Sequence, residues 1–239
     1  MDYPKIPSTS SYMMPRGRTS TRPSTKQLIQ AAALELFNAT GYTNTSIARI
    51  ADSVGITEGN LWYHFRAKED LVNTLVDQLV ESLDAHYQEA RSKHSLEEEY
   101  VLYFHGVMQD MLRFRFILRD YLQVASRKDS QISHHLTTFQ ADQYERLTDM
   151  LGRMSREGHM QNPLPDLDEL ATNIWIVVRY WWSYLLDREQ VEQIGWEHQQ
   201  RGFRQHMALL EPHLTASAIR KMHAVATEIE LQQPAELAS

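Results

Sequence analysis

Thr45-Ser46-Ile47-Ala48-Arg49-Ile50-Ala51-Asp52-Ser53-Val54-Gly55-Ile56-Thr57-Glu58-Gly59-Asn60-Leu61-Trp62-Tyr63-His64-Phe65 decides the fold of this chain. The stretch reads as two short helices around a tight turn. Thr45 or Ser46 caps the first, because each offers a side-chain oxygen to the unpaired N–H groups of a helix start. Ile47, Ile50 and Ala51 are its packing face. Gly55 permits a positive φ at the turn, and Ile56 fills the space between the helices. Thr57 caps the second helix, with Leu61 and Phe65 turned inward and polar and aromatic groups left outside. A helix-turn-helix of this shape lays one short helix in the major groove of DNA.

Upstream, Ser24 and Gln27 have capping-box spacing, and Leu28, Ile29, Ala32, Ala33, Leu36 and Phe37 share one helical face that Gly41 closes. Downstream, a helix is expected from near Lys68 past Tyr87, with Leu71, Leu75, Val76, Leu79, Val80, Leu83 and Tyr87 as its stripe. Ser95-Leu96-Glu97-Glu98 is a second capping box, and Glu97, Glu98 and Glu99 read as a solvated helix start. Helical patterns continue over about 114–125 and 130–157, and Asn162-Pro163-Leu164-Pro165 breaks them. Further helices are expected over 166–187, 197–210 and 213–231, with Pro212 near the last start. No period-2 strands and no repeat of fixed length occur, so the chain reads as all-α.

This organisation predicts a disordered basic arm over 1–23, a DNA-binding domain over 24–70, a larger helical body over 71–232 for effector binding and dimerisation, and a tail over 233–239. The 239 residues are 42% apolar, with no cysteine and no apolar run of membrane-spanning length. No secretory segment is visible, and a cytoplasmic protein is expected. Net charge is −7, but unevenly spread. Residues 1–68 hold eight Lys/Arg against four Asp/Glu, a net of +4, while the remainder holds 16 against 27, a net of −11. A basic N-terminal piece on an acidic body suits local contact with DNA. Arg16, Arg18 and Arg22 make the arm either a DNA contact or a solvated tail.

Ile29, Ala32, Ala33, Leu36, Phe37, Gly41, Thr45, Ile50, Ala51, Gly55, Ile56, Gly59, Leu61, Tyr63, His64, Phe65, Lys68 and Leu71 together resemble the TetR family of bacterial one-component regulators. Trp62 stands where that family usually has Tyr, so an indole N–H replaces a hydroxyl. The resemblance covers about a fifth of the chain. It implies an all-α homodimer, three N-terminal helices on DNA, and repression relieved by a small molecule. It also implies that Tyr63, His64 and Lys68 grip phosphates.

Among the residues themselves, Thr45 and Ser46 offer hydroxyls and helix-start N–H groups to a phosphate. Thr57, Glu58, Asn60 and Tyr63 are expected to face the groove, and Gly59 lets the backbone lie close. Asn60 suits adenine and the Thr57 methyl suits thymine. Glu58 is either a cytosine reader or solvent-facing, and His64 either meets DNA or packs beside Phe65. Lys68 is a cation near a helix start, where the dipole disfavours it, and a phosphate partner accounts for that. Two symmetric modules would bind double-stranded DNA as a palindromic operator, with half-sites about 34–36 Å apart or a multiple of that.

In the body, Phe104, Met108, Met111, Phe114, Phe116, Tyr121, Trp175 and Trp182 are candidate walls of a ligand cavity. Polar anchors come from His105, Arg113, Arg115, Arg119 and Arg179. The expected ligand set is Phe104, His105, Met108, Arg119, Trp175, Arg179 and Trp182, around an apolar or amphipathic effector. Arg179 either binds a ligand carboxylate or pairs with an acid across a subunit interface. Leu167, Leu170, Ile174, Val178, Trp181 and Leu185 form one stripe of the 166–187 helix, with Trp175 and Trp182 off it. A helix apolar on two sides suits a four-helix dimer interface. Catalysis, a metal and a cofactor are not expected, since no phosphate loop or nucleophile elbow occurs and the adjacent His134-His135 pair chelates poorly. The alternative to a ligand-released repressor is an activator, or a DNA-binding factor regulated by a protein.

Overall fold

The computed structural model describes residues 23–93, 95–120, 131–161, 164–191 and 194–231. The arginines of the arm, Tyr121, Asn162-Pro163 and the C-terminal tail lie outside the described residues. The helices are α1 (Thr25–Thr40), α2 (Ile47–Val54), α3 (Glu58–His64), α4 (Lys68–Lys93), α5 (Leu96–Arg113), α6 (Arg115–Arg119), α7 (Gln131–Arg156), α8 (Leu167–Asp187), α9 (Trp196–Leu210) and α10 (Ala216–Leu231). No strand occurs among the described residues, only an isolated bridge between Met160 and Leu214.

Local chemistry sets the boundaries. Ser24 and Gln27, and likewise Ser95 and Glu98, exchange both hydrogen bonds of a capping box. Gly55 sits at φ +74°, and its N–H reaches the Ala51 and Asp52 carbonyls. A side chain at that angle would strain the turn. The Ile56 N–H then donates to the Ala51 carbonyl at 3.1 Å, which fixes the chain's path into α3.

The three short helices close over Ile29, Phe37, Ile50, Leu61 and Phe65, all buried. Leu28, expected on that face, is 41% exposed, because the inward stripe of α1 starts one residue later at Ile29. In the body, α4 packs along α5, α7 lies against α4 and α8, α9 against α8, and α10 against α5. At the α8–α9 crossing an added Cβ on Gly202 would come within 2.6 Å of the Trp181 ring. That contact lets the Trp181 indole donate to the His198 carbonyl at 2.8 Å.

Three further expectations change. The 114–125 pattern is helical only over Arg115–Arg119 among its described residues. Pro212 lies in a short 3₁₀ turn, and α10 begins four residues later. Glu97 and Glu99 are 1% and 3% exposed, not solvated. Glu97 Oε1 meets Lys221 Nζ and His159 Nδ1, each at 3.1 Å, and Glu99 pairs with Arg153. Burial alone would raise the Glu97 carboxyl, but its backbone hydrogen bond, Lys221 and His159 hold it below the usual range. The distant α7–α10 partners that bury this helix start are invisible to local spacing.

Candidate nucleic-acid interface and effector cavity

Thr57 Oγ1 accepts the Asn60 N–H at 3.2 Å and starts α3. Leu61 and Phe65 anchor the helix from below, at 0% and 3% exposure. Its other side stands in solvent: Glu58, Gly59 and Asn60 are exposed, Trp62 is 41% exposed and Tyr63 84%. His64 is half-buried, edge-on to the Tyr63 ring at 5.3 Å. An added Cβ on Gly59 would meet only Thr57 Oγ1, at 3.9 Å, so nothing within the fold requires glycine there.

Ser46, exposed, caps α2 by accepting the Arg49 N–H at 3.2 Å. Thr45, expected at a phosphate, is 1% exposed. Its hydroxyl bonds the Gly41 carbonyl at 2.8 Å and lies 3.0 Å from Thr40 Oγ1. Thr45 therefore staples the end of α1 to the start of α2 and has no hydroxyl to turn outward. Spacing left Thr45 and Ser46 equivalent; the three-dimensional turn separates them.

Lys68 has partners inside the protein. Its ammonium donates to the Tyr42 carbonyl, and lies 4.2 Å from the Tyr42 ring centroid and 5.8 Å from that of Phe37. Burial lowers its pKa, with Glu69 opposing. The cation at the start of α4 thus needs no phosphate to account for it, although two of its three N–H donors remain. Sequence reasoning counted Lys26, Arg49 and Arg66 only as charge. The structure exposes all three around the head, with Lys26 Nζ 5.7 Å from the Phe65 ring.

A polar clasp joins the head to the body. Asn38 Nδ2 donates to the Arg113 carbonyl at 2.7 Å, and Asn38 Oδ1 accepts the Phe116 N–H at 3.0 Å. Arg119 donates to the Phe37 and Asn38 carbonyls at 2.6 and 3.0 Å, satisfying open C=O groups at the end of α1. Asp120 Oδ2 accepts the Tyr42 N–H at 2.7 Å. Arg119 was expected in the ligand cavity. Its place is this clasp, because α6 turns Ile117 and Leu118 to the cavity and leaves Arg119, its last residue, against the end of α1.

An apolar cavity of about 650 Å³, including its mouth, lies among α4, α5, α6, α7 and α8. Phe104, Trp175 and Arg179 line it, together with Tyr103, Phe139, Gln140 and Gln143. The Tyr103 hydroxyl bonds Gln143 Oε1, and the Arg179 guanidinium lies 5.3 Å from the Tyr180 ring centroid. His105 and Met108 line a different cavity. Trp182, 2% exposed, lines neither and belongs to the core. The α7 residues were missed, although Leu136, Phe139, Gln143 and Leu147 recur at helical spacing with one polar interruption. Among the described residues no helix is long and apolar enough to cross a membrane, and no three His, Cys, Asp or Glu side chains gather as a metal site.

A short exposed helix held up by a helix-turn-helix, clasped to a helical body with an apolar cavity, defines a helix-turn-helix DNA-binding protein. A family model for bacterial regulatory proteins of the tetR family matches residues 29–75, and one for a bacterial transcriptional repressor matches residues 78–222. The chain belongs to the TetR family of DNA-binding transcriptional regulators. It is 31% identical over 133 residues to the HTH-type transcriptional regulator TtgR of Pseudomonas putida, a match covering 56% of this chain. The chain thus spans 60% of the length of that relative. Its fold matches a TetR-family transcriptional regulator from Marinobacter aquaeolei VT8 with a TM-score of 0.74 at 24% identity, covering 86% of this chain and 98% of that one. It also matches the ketosteroid transcriptional regulator KstR2 of Mycobacterium tuberculosis, with a TM-score of 0.63 at 21% identity, over 82% and 97% of the two chains.

Proposed function

We propose that this protein is a homodimeric repressor that binds a palindromic operator and leaves it when a small apolar or amphipathic effector fills the central cavity. Residues 24–70 act as the reading head, and 71–232 as the sensing and dimerisation body. The single observation that carries DNA reading is Tyr63, a large aromatic 84% exposed at the end of a helix whose opposite face is anchored. Thr57, Asn60 and Tyr63 read or touch the groove, Gly59 allows close approach, Glu58 faces solvent, and Ser46, His64 and Lys68 contact phosphates.

Dimerisation is supported by Ile176, Tyr180 and Tyr184, which recur every four residues on α8 at 48%, 54% and 46% exposure. Such a stripe on a surface helix suits a second copy of the same helix. Effector binding is supported by the apolar lining of the central cavity, where Gln140, Gln143 and Arg179 supply the few polar groups that orient a ligand. Selection of bound duplexes from a random pool is expected to return an inverted repeat, and light scattering twice the 27.9 kDa chain mass. A compound screen on the selected duplex is then expected to find apolar molecules that release it. No duplex preference at low salt would overturn the reading.

A further inference from the structure

Two stripes of α5 face two different cavities. Phe104, Val107 and Met111 line the central one. Val101, His105 and Met108 line a second, smaller one, closed by α9 and α10 through Trp196, Gln199 and Ile229. The two cavities share no lining residue.

The second cavity holds polar atoms that the fold leaves unused. Gln199 is 1% exposed, and neither atom of its amide has a partner among the described residues. Trp196, three residues earlier and so on the same face of α9, is 5% exposed with its indole N–H equally unpartnered. A buried amide that bonds nothing costs stability, and Leu or Met would fill the space without that cost. The unused polarity continues two turns further along α9. His206 is fully buried between Tyr100, Phe104 and Phe203, at 5.7, 4.9 and 4.9 Å between ring centroids. Neither of its nitrogens nor the Tyr100 hydroxyl has a partner among the described residues.

Among the described residues no charged side chain lines this cavity. Across from Gln199, His105 contacts Gln109 at 2.9 Å through Nε2 and meets the Trp196 ring edge-on at 5.4 Å. Burial, with the charge of His86 adding to it, lowers His105 to about 4, so the ring is neutral near pH 7. A neutral lining with the Gln199 and Gln200 amides, the Trp196 N–H and apolar walls selects an uncharged ligand with a matching donor and acceptor.

We propose that the cavity between α5, α9 and α10 is a second small-molecule site, which takes an uncharged amide or lactam. The ligand carbonyl accepts from the Gln199 amide or the Trp196 indole, its N–H donates to Gln199 Oε1, and its ring lies against Met108 and Phe203.

The test uses full-length protein with ¹⁵N-labelled tryptophan and 2-piperidone as the probe, with the Trp196 indole signal assigned through Trp196→Phe. The expected result is a saturable shift of the Trp196 signal while those of Trp175 and Trp182 stay still. Gln199→Leu is expected to raise the apparent Kd about tenfold, the effect of losing one well-placed hydrogen bond. N-methyl-2-piperidone, which lacks the N–H, is expected to bind about tenfold more weakly for the same reason. No shift, a shift unchanged in Gln199→Leu, or equal binding of the two lactams overturns the site. Gln199→Leu and Gln199→Met are also expected to melt no lower than the parent, since the amide serves a ligand and not the fold. A clear fall in Tm in both, or failure of both to fold, would make Gln199 a structural group and overturn the proposal.

Discussion

The residues around α3 face out, and those around the central cavity face in. Leu61 and Phe65 hold the head together, while Asn60 and Tyr63 stand in solvent with no part in its packing. In the body, Phe104 and Val178 are at once core and cavity wall, at 4% and 6% exposure. Function and stability are therefore separable in the head and entangled in the body. Substitutions can remove reading without touching the fold, whereas a change in the cavity alters both together.

The strongest way to break that contrast is Asn60→Ala with Tyr63→Ala. Two groove contacts of about 1–3 kcal/mol each should weaken operator binding at least about 30-fold in fluorescence anisotropy. Unfolding free energy should stay within about 0.5 kcal/mol of the parent, since both side chains are exposed. A parallel loss of stability would mean that the head is as entangled as the body.

The interior has its own signature in acid. Burial holds His206 at about 3, and burial with His86 holds His105 at about 4, both below the ordinary value near 6.5. The unfolded chain takes up protons that these folded rings refuse. Stability is thus full above about pH 6.5 and falls as pH drops below it, by about 1.4 kcal/mol per pH unit for each ring. Urea midpoints from neutral to mildly acid pH should show this slope, and His206→Phe should lose one ring's share.

Asp120→Ala probes the join between the two regions. It strips the Tyr42 N–H of its partner and should cost about 1–3 kcal/mol in urea unfolding. Gly59→Ala should stabilise the fold by up to about 1 kcal/mol, as helix propensity dictates, while weakening operator binding through the added methyl. Unchanged binding would remove the close approach of α3. The smallest expected effect is that of Lys68→Ala, a reduction of about one in the slope of log affinity against log salt. An unchanged slope would leave Lys68 only as the inner partner of Tyr42.

Most of the head was legible because its signals are local. A Ser or Thr three residues ahead of the N–H it caps, a glycine at the turn and apolar residues at helical spacing each act on groups a few positions away. Ser24, Ser46, Gly55 and Thr57 hold the positions their residue types suit. The cavity was legible only in part. Phe104, Trp175 and Arg179 line it, but Arg119 and Trp182 do not. Aromatic and basic residues look alike in sequence whether they face a void, a core or a helix end.

By itself the sequence determined an all-α chain with a helix-turn-helix over residues 45–65, because helix formation, capping and turns depend on neighbours a few positions away. Only the tertiary structure decided that Thr45 is an inner staple, that Glu97 is buried against α10, that Arg119 clasps the end of α1, and that α5 faces two cavities. Thr45 turns inward onto carbonyls only four to nine residues back, but which way it turns is set by the closed turn. The Glu97 and Arg119 outcomes depend on groups 81 to 124 residues away, and the α5 outcome on which stripe its neighbours cover, and no local periodicity carries that information.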